Sequence, residues 1–221
     1  MRIEIRSDSV LLDGYVNAVE RQSNPVITPH GKVIEVIEQR AFERALGRAD
    51  NVDLLLDHDE NMKLGSTQEG NLKLWEDNIG LRAECTVTNP DVIQKAKDGK
   101  LKGWSFGMYT NEDKIEERAD GQLPIRRISD LDIFEVSIID EKMNPCYSAT
   151  SIETRAEQEV QKERRAWVDT YITVTDRSNI YGDTENGKLT MRNTHTVETE
   201  TTQEVDYSEY ENRIQNLKSA K

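Results

Sequence analysis

From Lys102 to Tyr109 the chain reads KGWSFGMY, a stretch in which small residues alternate with large apolar ones. A period of two belongs to a strand with two unlike faces. Trp104, Phe106 and Met108 take the face that packs into a core, and Gly103, Ser105 and Gly107 take the other. Flanked by glycines, the Ser105 hydroxyl has no bulk around it, so a polypeptide backbone can approach it closely. Such a serine is a candidate nucleophile if a base is held within hydrogen-bond reach on a neighbouring rigid element.

The chain has three histidines. His30 lies in a proline-containing turn (TPHG) and His195 in a polar stretch, whereas His58 ends an apolar run, VDLLLDH from Val52. An imidazole with an ordinary pKa of about 6.5 is mostly neutral at pH 7 and able to take a serine proton. A base of this kind needs a third group to orient it. Glu135, in DIFEVSIID, is the candidate: on a strand covered on both faces it would be a carboxylate in need of a partner. The same residues also fit a half-exposed strand with a polar outer face, and Asp57 and Asp59 are the next carboxylates in line.

Charged residues make up 32% of the 221 and the net charge is -13. That balance excludes nucleic acid and anionic membrane as expected partners, because phosphate contacts need clustered basic residues. No stretch approaches the roughly 18 apolar residues of a membrane span, and the start, MRIEIRSDS, has no apolar signal segment, so a soluble intracellular protein is expected. Cys85 and Cys146 are too few and too isolated for a disulfide framework or a zinc site. Cys85 shares a strand face with Leu81, Ala83 and Val87 and reads as a core thiol. Asp57, Asp59 and Glu60 crowd His58, but no second histidine or cysteine stands at ligand spacing. Neither a metal nor a cofactor is expected.

Along the chain, Arg2 to Arg6 and Val10 to Glu20 read as strands. Val33 to Ile37 leads into a helix from Gln39 to Arg48, with Phe42, Ala45 and Leu46 on one face. Leu72 to Trp75 and Gly80 to Val87 flank a turn and form a hairpin. Asn89-Pro90-Asp91 starts a second helix that Gly99 stops. The serine strand follows, and Leu123 to Ile139 supplies one or two more strands. The pattern is α+β with strands predominating. Beyond about Arg155 the composition turns to Glu, Thr, Asn and Gln. The expected division is a domain over 1–155 and a polar, weakly folded extension over 156–221, with one strand at Trp167 to Thr175 and a charged helix at Ser208 to Lys218.

Four segments taken in order, LLLDHDENMKLGST, GLRAECTV, DVIQKAKDGKLKGWSFGMY and LDIFEVSIIDEKMNPCYSATSI, resemble the tailed-phage prohead protease family, related in fold to herpesvirus assemblin. The similarity covers roughly Val10 to Ile152. It departs after the Glu-Val-Ser strand, where Asp140 to Cys146 replaces an apolar-proline-alanine run. The resemblance implies a mostly antiparallel, barrel-like core with a few flanking helices. It also implies a serine endopeptidase with His58 as base, Ser105 as nucleophile and Glu135 as third member. The implied substrates are scaffold segments, the major capsid protein and the protease itself. Cleavage would take place in the host cytoplasm inside the assembling procapsid, and a homodimer is a further implication. The alternative is a non-enzymatic assembly or scaffolding factor with the same fold, whose acidic surface binds capsid protein.

Overall fold

Two long strands carry the architecture: β9 (Leu101–Glu116) and β10 (Ile125–Asp140), of 16 residues each, pair antiparallel along almost their whole length. The computed structural model describes residues 1–28, 31–119, 121–141, 151–155, 158–168, 171–178 and 196–200. Around the β9–β10 pair lie β3 (Val26–Thr28), β4 (Gly31–Ile37), β5 (Asp53–Leu56), β6 (Asp59–Ser66), β11 (Ser151–Arg155) and β12 (Gln158–Val168). They form an eight-stranded mixed sheet in the order β11-β12-β9-β10-β4-β3. The far edge of β10 takes β4 beside Ile125 to Ile128 and β5 beside Glu135 to Ile138, both parallel, and β6 pairs with β5.

A second sheet has six strands in the order β14-β13-β1-β2-β8-β7. Its members are β1 (Arg2–Ile5), β2 (Val10–Ala18), β7 (Leu72–Glu76), β8 (Gly80–Val87), β13 (Tyr171–Asp176) and β14 (Thr196–Glu200). Ile3, Leu12, Leu81 and Cys85 from this sheet join Trp104, Phe106, Met108 and Ile128 from the first in one buried cluster. Desolvation in that core raises the Cys85 thiol pKa and keeps it protonated. Trp104 packs so close to β2 that a Cβ on Gly14 would stand 2.8 Å from its Nε1.

Two helices close the ends of this core. In α1 (Ala41–Arg48), Phe42 meets Phe106 edge-on with ring centroids 5.3 Å apart. No side chain of its own caps α1. Instead the Glu76 carboxylate on β7 accepts from the backbone N–H of Arg40 and Glu43, at 2.6 and 2.8 Å. In α2 (Pro90–Lys97), Asn89 is the N-cap, accepting from Asp91 and Val92, and Gly99 leaves the helix at φ +67. Neither helix is long and apolar enough to cross a membrane.

The α+β class and the strand-rich core agree with the sequence reading. Neither sheet closes among the described residues, so the architecture is two open mixed sheets rather than a barrel. The stretch from Leu123 to Ile139 holds a single strand, β10, the first helix begins at Ala41 rather than Gln39, and Asp59–Ser66 is a strand the sequence did not suggest. The stretch read as one strand from Trp167 to Thr175 divides between β12, antiparallel to β9, and β13, parallel to β1. His30, Cys146, His195 and the helix expected at Ser208 to Lys218 lie outside the described residues.

A buried ionic cluster ties β12 to the sheet. Arg126 on β10 pairs with Glu35, Glu163 and Asp113, and Arg165 pairs with Glu35 and Glu163. Burial alone would raise the Glu163 carboxyl, but the neighbouring Arg126 and Arg165 guanidinium groups outweigh it and hold the group below the usual carboxylate range. A carboxylate depressed in the folded state contributes stability that is present above its unfolded pKa and lost as pH falls through the folded one. Amide exchange along 158–168 is therefore expected to lose protection, relative to β10, when the pH drops below the usual carboxylate range. Glu163→Gln should remove that acid step, and unchanged acid sensitivity in the variant would contradict the assignment.

Candidate active site

The chain reverses between β5 and β6 through only two residues, with Leu56 opposite Asp59. Asp57 and His58 both adopt positive φ, at 52° and 61°. The tight primed hairpin turns need this conformation, which Asp and His tolerate better than most side chains. His58 thus sits in the turn rather than at the end of the strand. The turn is fixed from both sides: Asp57 N–H donates to the Ile138 carbonyl at 2.9 Å, and the Asp57 carboxylate accepts from the Asp140 N–H at 2.9 Å. Burial, reinforced by the nearby Asp140 carboxylate, raises the Asp57 pKa. Lys95 pairs with Asp140 behind it.

In β9 and β10 the register sets Ser105 opposite Ser137 and Gly107 opposite Glu135. The turn carries His58 over this junction. Its Nε2 lies 2.6 Å from Ser105 Oγ and its Nδ1 lies 2.5 Å from Glu135 Oε1. An ionised carboxylate only accepts, so the Nδ1 proton points to Glu135 and Nε2 presents a lone pair to the serine. All three side chains are withdrawn from solvent, with His58 8% and Glu135 3% exposed and Ser105 fully buried. The glycine beside them is required by space. A Cβ on Gly107 would stand 2.6 Å from Glu135 Oε1 and 2.4 Å from the Phe134 ring.

Ser137, to which the sequence reading gave no role, completes the group. Its hydroxyl donates to Glu135 Oε2 at 2.7 Å, and its oxygen accepts from the His58 backbone N–H at 3.2 Å. Ser137 therefore holds both the carboxylate and the backbone of the imidazole. Its signal was in the sequence: it follows Glu135 by two, so the two share a strand face. Arg164 on β12 brings its Nε to 3.8 Å from Glu135 Oε1, and this Nε is buried without a hydrogen-bond partner among the described residues. Beside Glu135 opens a cavity of about 380 Å³, lined among others by Leu55, Tyr109, Phe134, Lys162 and Arg164.

Of the carboxylates considered from sequence, Glu135 faces the imidazole, Asp57 serves the turn, and Asp59 accepts from the Asn61 backbone and side chain. Glu60 stands 3.7 Å from Lys162. No cluster of three metal-ligating side chains occurs among the described residues.

A hydroxyl, an imidazole and a carboxylate joined in this order are the equipment of a serine hydrolase. A family profile described as Caudovirus prohead serine protease matches residues 1–164, and the chain belongs to that family. It is accordingly an enzyme, a serine protease of phage proheads, and not a bare assembly factor. No curated protein and no solved structure matches the chain.

Two substitutions test the packing of this site. Gly107→Ala should leave the fold intact, at an overpacking cost of about 1–3 kcal/mol, and lower turnover by roughly tenfold or more by displacing Glu135. Ser137→Ala should lower kcat while leaving KM nearly unchanged, since the hydroxyl holds the imidazole and carboxylate rather than the peptide. Wild-type turnover in either folded variant would contradict the geometry's importance.

Proposed function

We propose that Ser105 is the nucleophile, His58 the general base and Glu135 the residue that orients and charge-stabilises the imidazole. The observation that carries this reading is the continuous hydrogen-bonded chain from Ser105 Oγ through both ring nitrogens to Glu135. As Ser105 attacks a peptide carbonyl, its proton passes to Nε2, and the imidazolium so formed faces a buried carboxylate. The proton then goes to the leaving amine, and water, deprotonated by the same nitrogen, hydrolyses the acyl ester.

The substrates are scaffold segments and capsid-protein segments within the assembling procapsid in the host cytoplasm, and the protease itself. Membership in a prohead protease family supports capsid proteins as the substrate class. The enzymatic reading also accounts for what an assembly factor leaves unexplained, three buried polar side chains aligned as donor and acceptor.

Ser105→Ala should keep the fold and lower cleavage of capsid precursor by about a thousandfold or more. Glu135→Gln keeps the volume but cannot stabilise the imidazolium, so it too should cut turnover strongly. Cleavage at the wild-type rate by folded Ser105→Ala protein would end the assignment of the nucleophile.

A further inference from the structure

Ser105 is fully buried, and a strand of the same chain lies along the β9 edge beside it. Strand β12 runs antiparallel to β9 with Ala166 opposite Ser105, and the Ser105 hydroxyl lies 2.7 Å from the Arg165 carbonyl oxygen. Ser105 has one proton and two acceptors face it, that carbonyl and His58 Nε2. A polypeptide that pairs with the β9 edge at Ser105 takes the place that β12 holds in this structure.

Glu163 and Arg165 on β12 are held in the manner of a recognised sequence. Arg165 sets Nε and Nη2 against the two oxygens of Glu35, at 2.5 and 2.7 Å. Glu163 sets its two oxygens against Nη1 and Nη2 of Arg126, at 2.6 and 2.9 Å. Both are two-pronged contacts, which discriminate by shape as well as charge. Glu35 and Arg126 also bond each other at 2.9 Å, so the receiving pair is complete without β12.

The sequence repeats what this pair holds. Glu-x-Arg-Ala occurs at 38–41, 116–119, 153–156 and 163–166, and four copies far exceed what the composition would give by chance. Two of them begin ten residues apart, at Glu153 on β11 and Glu163 on β12, strands that pair antiparallel. The part of the chain that matches the family ends at residue 164, one residue before Arg165.

From these observations we infer that the β9 edge is a substrate-strand site that reads Glu-x-Arg-Ala, and that residues 163–166 occupy it as the enzyme's first substrate. The inference rests on Ser105 being the nucleophile. Glu35 reads the arginine before the cut and Arg126 the glutamate two residues earlier. Ser105 Oγ bonds to the Arg165 carbonyl carbon as its proton passes to His58. The bond to the Ala166 nitrogen breaks, and that nitrogen takes the proton from His58. Water then hydrolyses the ester, freeing Ser105 and leaving Arg165 as a carboxylate terminus. A second cut after Arg155 removes 156–165 and clears the β9 edge for other chains.

The test incubates the full-length protein and its Ser105→Ala variant side by side, followed by intact-mass measurement. The expected products, in the active sample alone, are 1–165 and then 1–155. Because Glu163 and Arg165 also pack β12, the same protein is offered a mixed peptide library and its cuts are mapped. These should fall after Arg with Glu two residues before it, and Gln in place of either residue should slow cleavage at least tenfold. Ser105-dependent cuts without this signature, or a chain left intact while it cleaves capsid precursor, would overturn the inference and leave the protease reading standing. If no protein or peptide were cut in a Ser105-dependent way, the protease reading itself would fail and the inference with it.

Discussion

The register between β9 and β10 is the constraint on which the rest depends. Side chains alternate along a strand, so a slip of one residue would turn either Ser105 or the Glu135–Ser137 pair to the far face and put Phe106 or Val136 in its place. The burial of Trp104, Phe106 and Met108 on one side of β9, and of Ile128, Leu131 and Val136 along β10, makes that slip costly. Each of the larger side chains is worth about 1.5–3 kcal/mol when fully buried. Positioning of the polar group is thus a consequence of apolar packing. Pairing of β5 with the last part of β10 then brings the His58 turn to the only stretch of β10 where a carboxylate and a hydroxyl share a face with Ser105.

A buried carboxylate is stable only when its oxygens are satisfied. Glu135 meets this condition through His58 and Ser137. Two other buried acids, Glu35 and Glu163, meet it through Arg126 and Arg165. The two groups differ in kind. The first joins β10 to a turn and contains an imidazole between a hydroxyl and a carboxylate. The second is made of paired carboxylates and guanidinium groups, and ion pairs of this kind contribute less to stability than to a defined arrangement, because desolvation offsets much of their attraction. Its effect is to hold one particular strand, β12, at one particular register beside Ser105.

The parts of this structure set by local pattern were readable in the sequence. The alternation in KGWSFGMY, the Asn-Pro helix start and the hairpin turn at Asp77 each rest on neighbouring residues, and each stands where it was read. His58, Ser105 and Glu135 were singled out by their settings and come together in space. What escaped was long-range or made of backbone. Strand β6 is short of apolar residues and forms because the turn at His58 folds it onto β5. The run Lys162 to Arg165 reads as polar, yet two of its charges, Glu163 and Arg165, are paired with Arg126 and Glu35, more than thirty residues away in sequence. The Arg165 carbonyl beside Ser105 has no sequence signal at all, since every residue has one.

The central claim is that Ser105, activated by His58, is the reacting group. The most direct measurement treats protein that is cleaving capsid precursor with a fluorophosphonate and locates the adduct by peptide mass spectrometry. The account expects one adduct, on Ser105, that is lost in His58→Gln, with Ser137 unmodified although it lies opposite on β10. An adduct on another serine, or an unmodified Ser105 in protein that remains active, would contradict it.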